Sequence, residues 1–259
     1  MDVQGKVAIV TGGGTGVGRA TALSLASRGC LVVVNYSRSR EDAERTASEV
    51  EALGVRALAV QADVSDDAAA RRLVAAAVDT LGRLDVLVNS AGTTEFIQAD
   101  DLDQVTDDVW MRLFQVNVVG AFHVARAARG PMNAAGAGSI VNVSSVAARL
   151  GQGSSIPYCA SKAALDNVTI SLARTFAPTI QVNGVAPGFI TGRWLQGGLG
   201  PRYEKVKQAF DNSLPLRRVC EPEDVAAAIL SLICGSPLVT GQTLVVDSGM
   251  LIAGFQAKF

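Results

Sequence analysis

Tyr158 and Lys162 are four residues apart, a spacing that sets a phenol and an ammonium on one face of a helix, about one turn from each other. An ammonium beside a phenol favours the phenolate, so the pair predicts a tyrosine whose pKa is drawn down from about 10 toward neutral pH, where proton transfer is most effective. The same spacing also describes a surface lysine stem packed along a half-buried tyrosine, so the neighbouring residues must decide. Far upstream, Thr11-Gly12-Gly13-Gly14-Thr15-Gly16-Val17-Gly18 runs from an apolar strand into a helix read from about Arg19 to Ser27. Without Cβ atoms such a turn can be tight, and a pyrophosphate can approach the N–H groups and dipole at the helix N-terminus. After a first strand and before a helix, this favours dinucleotide binding over a flexible turn.

The elements that must position these residues are legible as alternation. Short apolar runs and Ala/Leu-rich amphipathic stretches succeed one another from Val7 to about Pro187, the pattern of β-α units on a parallel sheet buried on both faces. Strands are expected at Val7–Thr11, Leu31–Asn35, Ala57–Gln61, Val86–Asn89, Ser139–Val143, Gln181–Val185 and Leu244–Val246, and helices at Asp67–Leu81, Val109–Ala128 and Pro222–Leu232. The 259 residues suit one α/β domain. With 23 basic and 24 acidic residues, no charge excess calls for nucleic acid or an anionic membrane, and small-molecule chemistry is the better expectation. Cys30, Cys159, Cys220 and Cys234 form no C-x-x-C pair and read as free thiols of a cytoplasmic protein. No signal peptide, membrane-spanning run or metal-ligand cluster is read.

The spacing T-G-x-x-x-G-x-G, taken with Tyr158-x-x-x-Lys162, resembles the short-chain dehydrogenase/reductase family, including its carbonyl reductases and 3-oxoacyl-thioester reductases. Further matches fall in order along nearly the whole chain: Asp63-Val64, Asn89-Ser90-Ala91-Gly92, Asn117, Ser144-Ser145, Pro187-Gly188 and Val246-Asp247-Ser248-Gly249. The resemblance implies a single-domain, doubly wound Rossmann fold with a seven-stranded parallel sheet. It also implies a nicotinamide cofactor held by Gly12, Thr15, Gly16, Val17, Gly18, Asp63, Val64, Asn89, Ala91, Gly92, Tyr158, Lys162, Pro187, Gly188, Ile190 and Thr191. Asp63 reads equally as a turn or capping residue. Thr191 stands one position earlier than the family's usual threonine, which is Gly192 here.

Strand two ends at Asn35-Tyr36-Ser37-Arg38-Ser39-Arg40, without the acidic residue that would bind ribose hydroxyls and repel a 2'-phosphate. NADP(H) is therefore expected over the alternative NAD(H), with neutral Asn35 at the strand end as a cofactor-binding residue, Ser37 and Arg38 as phosphate ligands and Arg40 a further candidate. Ser39 and Asp42 also read as a capping box for the next helix.

A hydride arriving at a carbonyl carbon leaves charge on oxygen, so the site needs a proton and a hydrogen-bond donor there. The resemblance implies Tyr158 as proton donor, Lys162 as its tuning partner and Ser145, thirteen residues before Tyr158, as carbonyl binder, with Ser144 the runner-up. It implies that Asn117 disrupts its helix and completes a proton relay through a water; the residue alone would read as an exposed helix position. His123 reads as packed or solvated.

The pattern loosens over residues 190–213, read as a substrate lid or, alternatively, a helical hairpin packed on the core. Trp194, Phe96, Gln152, Ile156 and Phe189 are candidate substrate-pocket residues. The apolar tail Leu251–Phe259 is expected at a subunit contact, and the resemblance implies a homotetramer. Three functions follow: an NADP(H)-dependent reductase of a small or medium apolar ketone, or the reverse alcohol dehydrogenase; a 3-oxoacyl-thioester reductase, for which Arg193, Arg202, Lys205 and Lys207 could meet an acyl carrier; and a non-catalytic NADP-binding regulator.

Overall fold

The computed structural model describes residues 1–253. Among them, seven strands form one sheet: β1 (Val7–Thr11), β2 (Leu31–Tyr36), β3 (Ala57–Gln61), β4 (Val86–Asn89), β5 (Gly138–Val143), β6 (Ile180–Pro187) and β7 (Thr243–Val246). Their order is β3-β2-β1-β4-β5-β6-β7 and every pairing is parallel. The helices between them are α1 (Gly16–Ala26), α2 (Arg40–Ala52), α3 (Asp67–Leu81), α4 (Asp107–Phe114), α5 (Ala121–Ala134), α6 (Ala147–Leu150), α7 (Ile156–Phe176), α8 (Arg193–Leu199), α9 (Tyr203–Ser213) and α10 (Pro222–Cys234).

Strand β1 shows why the sheet reads as unbroken apolar runs. Its alternate residues enter opposite cores: Ala8 and Val10 pack with Leu25, Val50 and Ile229 of α1, α2 and α10, while Ile9 packs with Leu73, Val124 and Leu172 of α3, α5 and α7. A strand covered on both faces has no polar side to show. The chain reverses its winding between β1 and β4, which opens a crevice beyond their C-terminal ends, the usual ligand position in such sheets.

The helix expected over Val109–Ala128 is three pieces: α4, a π-helical turn over Gln115–Gly120, and α5. Thr106 caps α4, Asp66 caps α3 and Ser155 caps α7, each accepting from a first-turn N–H. The capping box expected at Ser39 is not formed. The Ser39 side chain makes no capping bond, and the Asp42 carboxylate, which would complete the box, is drawn instead to the guanidinium groups of Arg45 and Arg193.

Beyond β6 the chain builds a small third core. Phe189, Tyr203, Leu214 and Val219 are buried there, with Phe210 5.0 Å from Phe189 between ring centroids. The loosely patterned 190–213 stretch is thus a helical hairpin with its own packing. No helix among the described residues is long and apolar enough to cross a membrane. Of the expected tail contact, Leu251 is half-buried and Ile252 exposed, and residues 254–259 lie outside the described residues.

Candidate active site

The glycine loop leaves β1 at Thr11, whose buried hydroxyl accepts from the N–H groups of Ser90 and Ala91, both at 3.0 Å. That fastens the loop after β1 to the loop after β4. A methyl on Gly12 would meet the Ala91 Cα at 3.0 Å, and one on Gly18 would overlap the Gly12 carbonyl oxygen at 2.3 Å, so neither position accepts a side chain without movement. Thr15 precedes α1 with no side-chain capping bond, and the first turn of α1 carries no acidic residue. Uncapped N–H groups at the end of a glycine cradle, with nothing negative beside them, suit a pyrophosphate. The residues present therefore fit a dinucleotide; Gly12, Thr15, Gly16, Val17 and Gly18 would hold its phosphates.

Asn35 turns inward. Its amide donates to the carbonyls of Val60 and Ala62 at 3.2 and 3.0 Å, and its oxygen accepts from the Gly12 N–H at 3.4 Å, so its side chain is spent supporting the loop and is a correction to the expected direct ligand. Ser37 and Arg38 are exposed beyond the strand, and Arg38 has no ion pair among the described residues. Arg40 pairs with Glu44. Asp63 forms a turn in which its carboxylate accepts from the N–H and hydroxyl of Ser65, and Val64 is buried beneath Gly120. Asn89 is also buried, donating to Asn142 Oδ1 at 2.9 Å.

Helix α7 carries Tyr158 and Lys162 to the C-terminal ends of β4 and β5. Lys162 is buried and its Nζ donates to the Val143 carbonyl at 2.8 Å. Burial lowers its pKa to about 8, against a smaller opposing effect of Asp166. Burial pushes Tyr158 up to about 12, partly offset by the Ser145 hydroxyl. The direction is set by burial, and the expected lowering by Lys162 is not among the influences on it. Of the two serines, Ser144 is buried with its hydroxyl on the Lys162 carbonyl at 3.3 Å, whereas Ser145 stands beside Tyr158 and accepts from the Ala147 N–H.

Asn117 is buried inside the π-helical turn, not exposed. Its oxygen accepts from the Thr93 N–H at 2.8 Å, and its nitrogen donates to the Thr93 carbonyl and to Ser161 Oγ, both at 3.0 Å. Its amide therefore pins the loop after β4 against α7. A methyl on Gly92 would stand 3.4 Å from Asn117 Oδ1, 3.7 Å from Lys162 Nζ and 3.8 Å from Trp194 Cη2, so these groups surround one point. Beside it opens a cavity of about 460 Å³ lined by Thr93, Glu95, Phe96, Trp194, Gly197 and Gly198 among others.

Phe189 does not face this cavity; it is the centre of the third core, and the pocket expectation is corrected because hydrophobic burial claims its ring. Gln152 and Ile156 are exposed near the start of α7 and are not among the cavity's lining residues. The loop after β6 is anchored on its far side: Gly188 donates to the Val246 carbonyl, Ile190 bridges Cys220, and the Thr191 hydroxyl donates to Glu221. Pro187 accepts from the Val146 N–H at 3.0 Å and so braces the Ser144-Ser145 segment. Thr11 and Ser161 escaped the sequence reading; a threonine opening the glycine motif and a serine on the buried face of the Tyr/Lys helix were the signals.

Residues 12–251 match the family model described as enoyl-(acyl carrier protein) reductase. The granaticin polyketide synthase ketoacyl reductase 2 of Streptomyces violaceoruber is 45% identical over 248 residues, 95% of this chain and 96% of that protein. The chain belongs to the short-chain dehydrogenase/reductase family. The 3-oxoacyl-acyl-carrier-protein reductase of Staphylococcus aureus is 35% identical over 95% of this chain and 98% of its own length. A 7α-hydroxysteroid dehydrogenase solved with NADH and 7-oxo glycochenodeoxycholic acid superposes with a TM-score of 0.85 at 31% identity, covering 95% of this chain and 94% of that one. The protein is an oxidoreductase of this family's type.

Proposed function

We propose that the protein reduces the ketone of a 3-oxoacyl thioester with NADPH, and that Tyr158 delivers the proton. The observation that carries the reading is the meeting of Tyr158 with the Ser145 hydroxyl and with Lys162, whose Nζ lies 5.8 Å from the Tyr158 ring centre and beside Gly92, with a dinucleotide cradle on the adjoining strand. Burial keeps Tyr158 protonated at neutral pH, so it holds the proton to be given, and the positive charges of Lys162 and of an oxidised nicotinamide would be needed to draw that pKa down toward the working range. A nicotinamide dinucleotide held by the cradle would supply the hydride and, once oxidised, a positive charge in the site. The Ser145 and Tyr158 hydroxyls hold the substrate oxygen; as the carbon gains hydride, that oxygen takes the Tyr158 proton, and Lys162 stabilises the phenolate left behind. Asn117 fixes the loop that sets the distance between these groups.

The thioester reading takes precedence over a free apolar ketone on the likeness to the two ketoacyl reductases. Of the basic residues near the lid, Arg193 and Lys207 are held by Asp42 and Asp211, which leaves Arg202 and Lys205 exposed for an acyl carrier. The NADP(H) preference rests on Ser37 and Arg38 and on the lack of an acid at the end of β2. A cytoplasmic homotetramer accompanies this reading. The free ketone remains a second reading because Phe96 and Trp194 give the cavity an aromatic wall.

The test is a turnover panel: a 3-oxoacyl thioester, the corresponding enoyl thioester and free ketones, each with NADPH and NADH. The 3-oxoacyl thioester with NADPH is expected to give the highest kcat/KM. Preference for a free ketone would move the assignment to the second reading, and preference for NADH would remove the phosphate assignment.

A further inference from the structure

Because β1 lies between β2 and β4, the segments that leave those two strands form the walls of the crevice above the glycine loop. Two consecutive residues of α8 reach both walls. Arg193 donates to Asp42 Oδ2 at 2.7 Å, in the first turn of the helix that follows β2. Trp194 meets Tyr158 edge-on, with ring centroids 6.2 Å apart, and its Cη2 is 3.8 Å from where a methyl on Gly92, after β4, would stand.

The wall at Asp42 is itself seated on the cradle, since a methyl on Gly14 would come within 3.1 Å of the main chain at both Asp42 and Ala43. The far end of α8 is also docked: a Cβ on Gly198 would overlap the Phe96 ring at 2.1 Å, so the ring lies directly on that glycine. Helix α8 therefore bridges the crevice from β2's side to β4's, and a ligand lying along the cradle would be covered by it. Most contacts of the bridge are apolar, whereas the link to α2 is an ion pair. Its aspartate side chain is largely buried and its arginine mostly exposed, at 16% and 68%. The Arg193 guanidinium holds the Asp42 carboxyl below its ordinary range, assisted by Arg45.

We propose that Arg193 and Asp42 form an ionic clasp across the mouth of the crevice, and that its opening gates the departure of the bound dinucleotide. The proposal rests on the reading that a nicotinamide dinucleotide lies in this crevice. Arg193 then acts as a positioning residue through the lid it holds.

The experiment uses the full chain with Trp110→Phe, which leaves Trp194 as its single tryptophan. Release of NADPH into excess NADP+ is followed by stopped-flow fluorescence, and acrylamide quenching of Trp194 is measured without nucleotide. Arg193→Gln and Asp42→Asn should each release NADPH about two- to fivefold faster, the range expected of an exposed ion pair. The double variant should be no faster than either single one, and Arg193→Lys should stay near the parent rate. Added salt, to about 0.5 M, should speed release from the parent protein by a larger factor than from Arg193→Gln, in which only the screening of the phosphate contacts is left. Quenching of Trp194 should rise in the same variants.

Unchanged release in both single variants, or effects that simply add in the double one, would overturn the clasp. Raised quenching with unchanged release would overturn the gating role and leave a tether. A parent protein that binds neither NADPH nor NADH would instead remove the cofactor reading, and the quenching measurement would still decide whether the ion pair holds the lid.

Discussion

The catalytic wall and the lid are built in opposite ways. Around Tyr158 the side chains are buried and bonded inward: Lys162 to Val143, Asn117 to Thr93 and Ser161, Ser144 to Lys162. Across the cavity, α8 is a seven-residue helix with two adjacent glycines, joined by an exposed ion pair and by Trp194, which is 47% exposed. Glycine in a helix costs about 1 kcal/mol relative to alanine, so α8 depends on tertiary contacts for its place. On the proposed function, the first wall would fix where a proton is given and to what kind of atom, and the second would fix what lies there and be the part able to open.

If the division is sound, changes on the two walls should have different signatures. The largest effect belongs to Lys162→Met, which should lower kcat by about a thousandfold, the upper range for loss of an assisted proton transfer. The same change should stabilise the fold. The folded-state pKa of Lys162, about 8, lies below its unfolded value of 10.5, so below pH 8 the fold carries a buried charge that the unfolded chain would solvate. Urea unfolding at pH 7 should show a gain of about 1 kcal/mol for Lys162→Met, after the lost bond to Val143 is discounted. That gain should shrink as pH rises from 8 toward 10.5, because the folded wild-type lysine is then already neutral. A loss of stability at pH 7 would mean that the buried ammonium is stabilised by its surroundings.

Asn117→Ala should lower kcat by about 30- to 100-fold, since the Thr93 main chain loses both its partners and the loop after β4 is released from α7. Equal activity would show that Gly92 and Lys162 keep their spacing without it. Trp194→Ala removes the lid ring that meets Tyr158 edge-on while leaving the Tyr158, Ser145 and Lys162 side chains in place, and should raise KM for the acyl substrate about tenfold with kcat changed by less than about threefold, the pattern of lost uniform binding. A kcat loss matching that of Asn117→Ala would erase the distinction between the walls. Smallest is Arg38→Ala, expected to weaken NADPH binding by about fivefold and leave NADH binding unchanged, as measured by titration.

The legible and illegible parts of the chain divide along the same line. The inner strands could be placed because a strand buried on both faces is an uninterrupted apolar run, as in Leu31-Val32-Val33-Val34, and the half-buried edge strands β3 and β7 still show short apolar runs. The glycine loop and the Tyr158/Lys162 spacing were legible because each requirement is local. Asn35 and Asp42 were misread because their partners come from elsewhere in the fold: Asn35 turns to Val60 and Ala62, and Asp42 to Arg193, 151 positions along the chain. Phe189 could not be told from a pocket residue, since an aromatic after a strand serves either use, and only the packing of α9 shows which. The tuning of Tyr158 depended on burial, which spacing does not report.

The central claim is that the Tyr158 hydroxyl gives its proton to a carbonyl oxygen. Tyr158→Phe removes that oxygen and leaves the ring against Trp194, so the lid and the cofactor cradle should be undisturbed. Single-turnover reduction of a 3-oxoacyl thioester by bound NADPH should slow by at least about a hundredfold, with NADPH affinity unchanged. Hydride transfer at the wild-type rate in that variant would contradict the account.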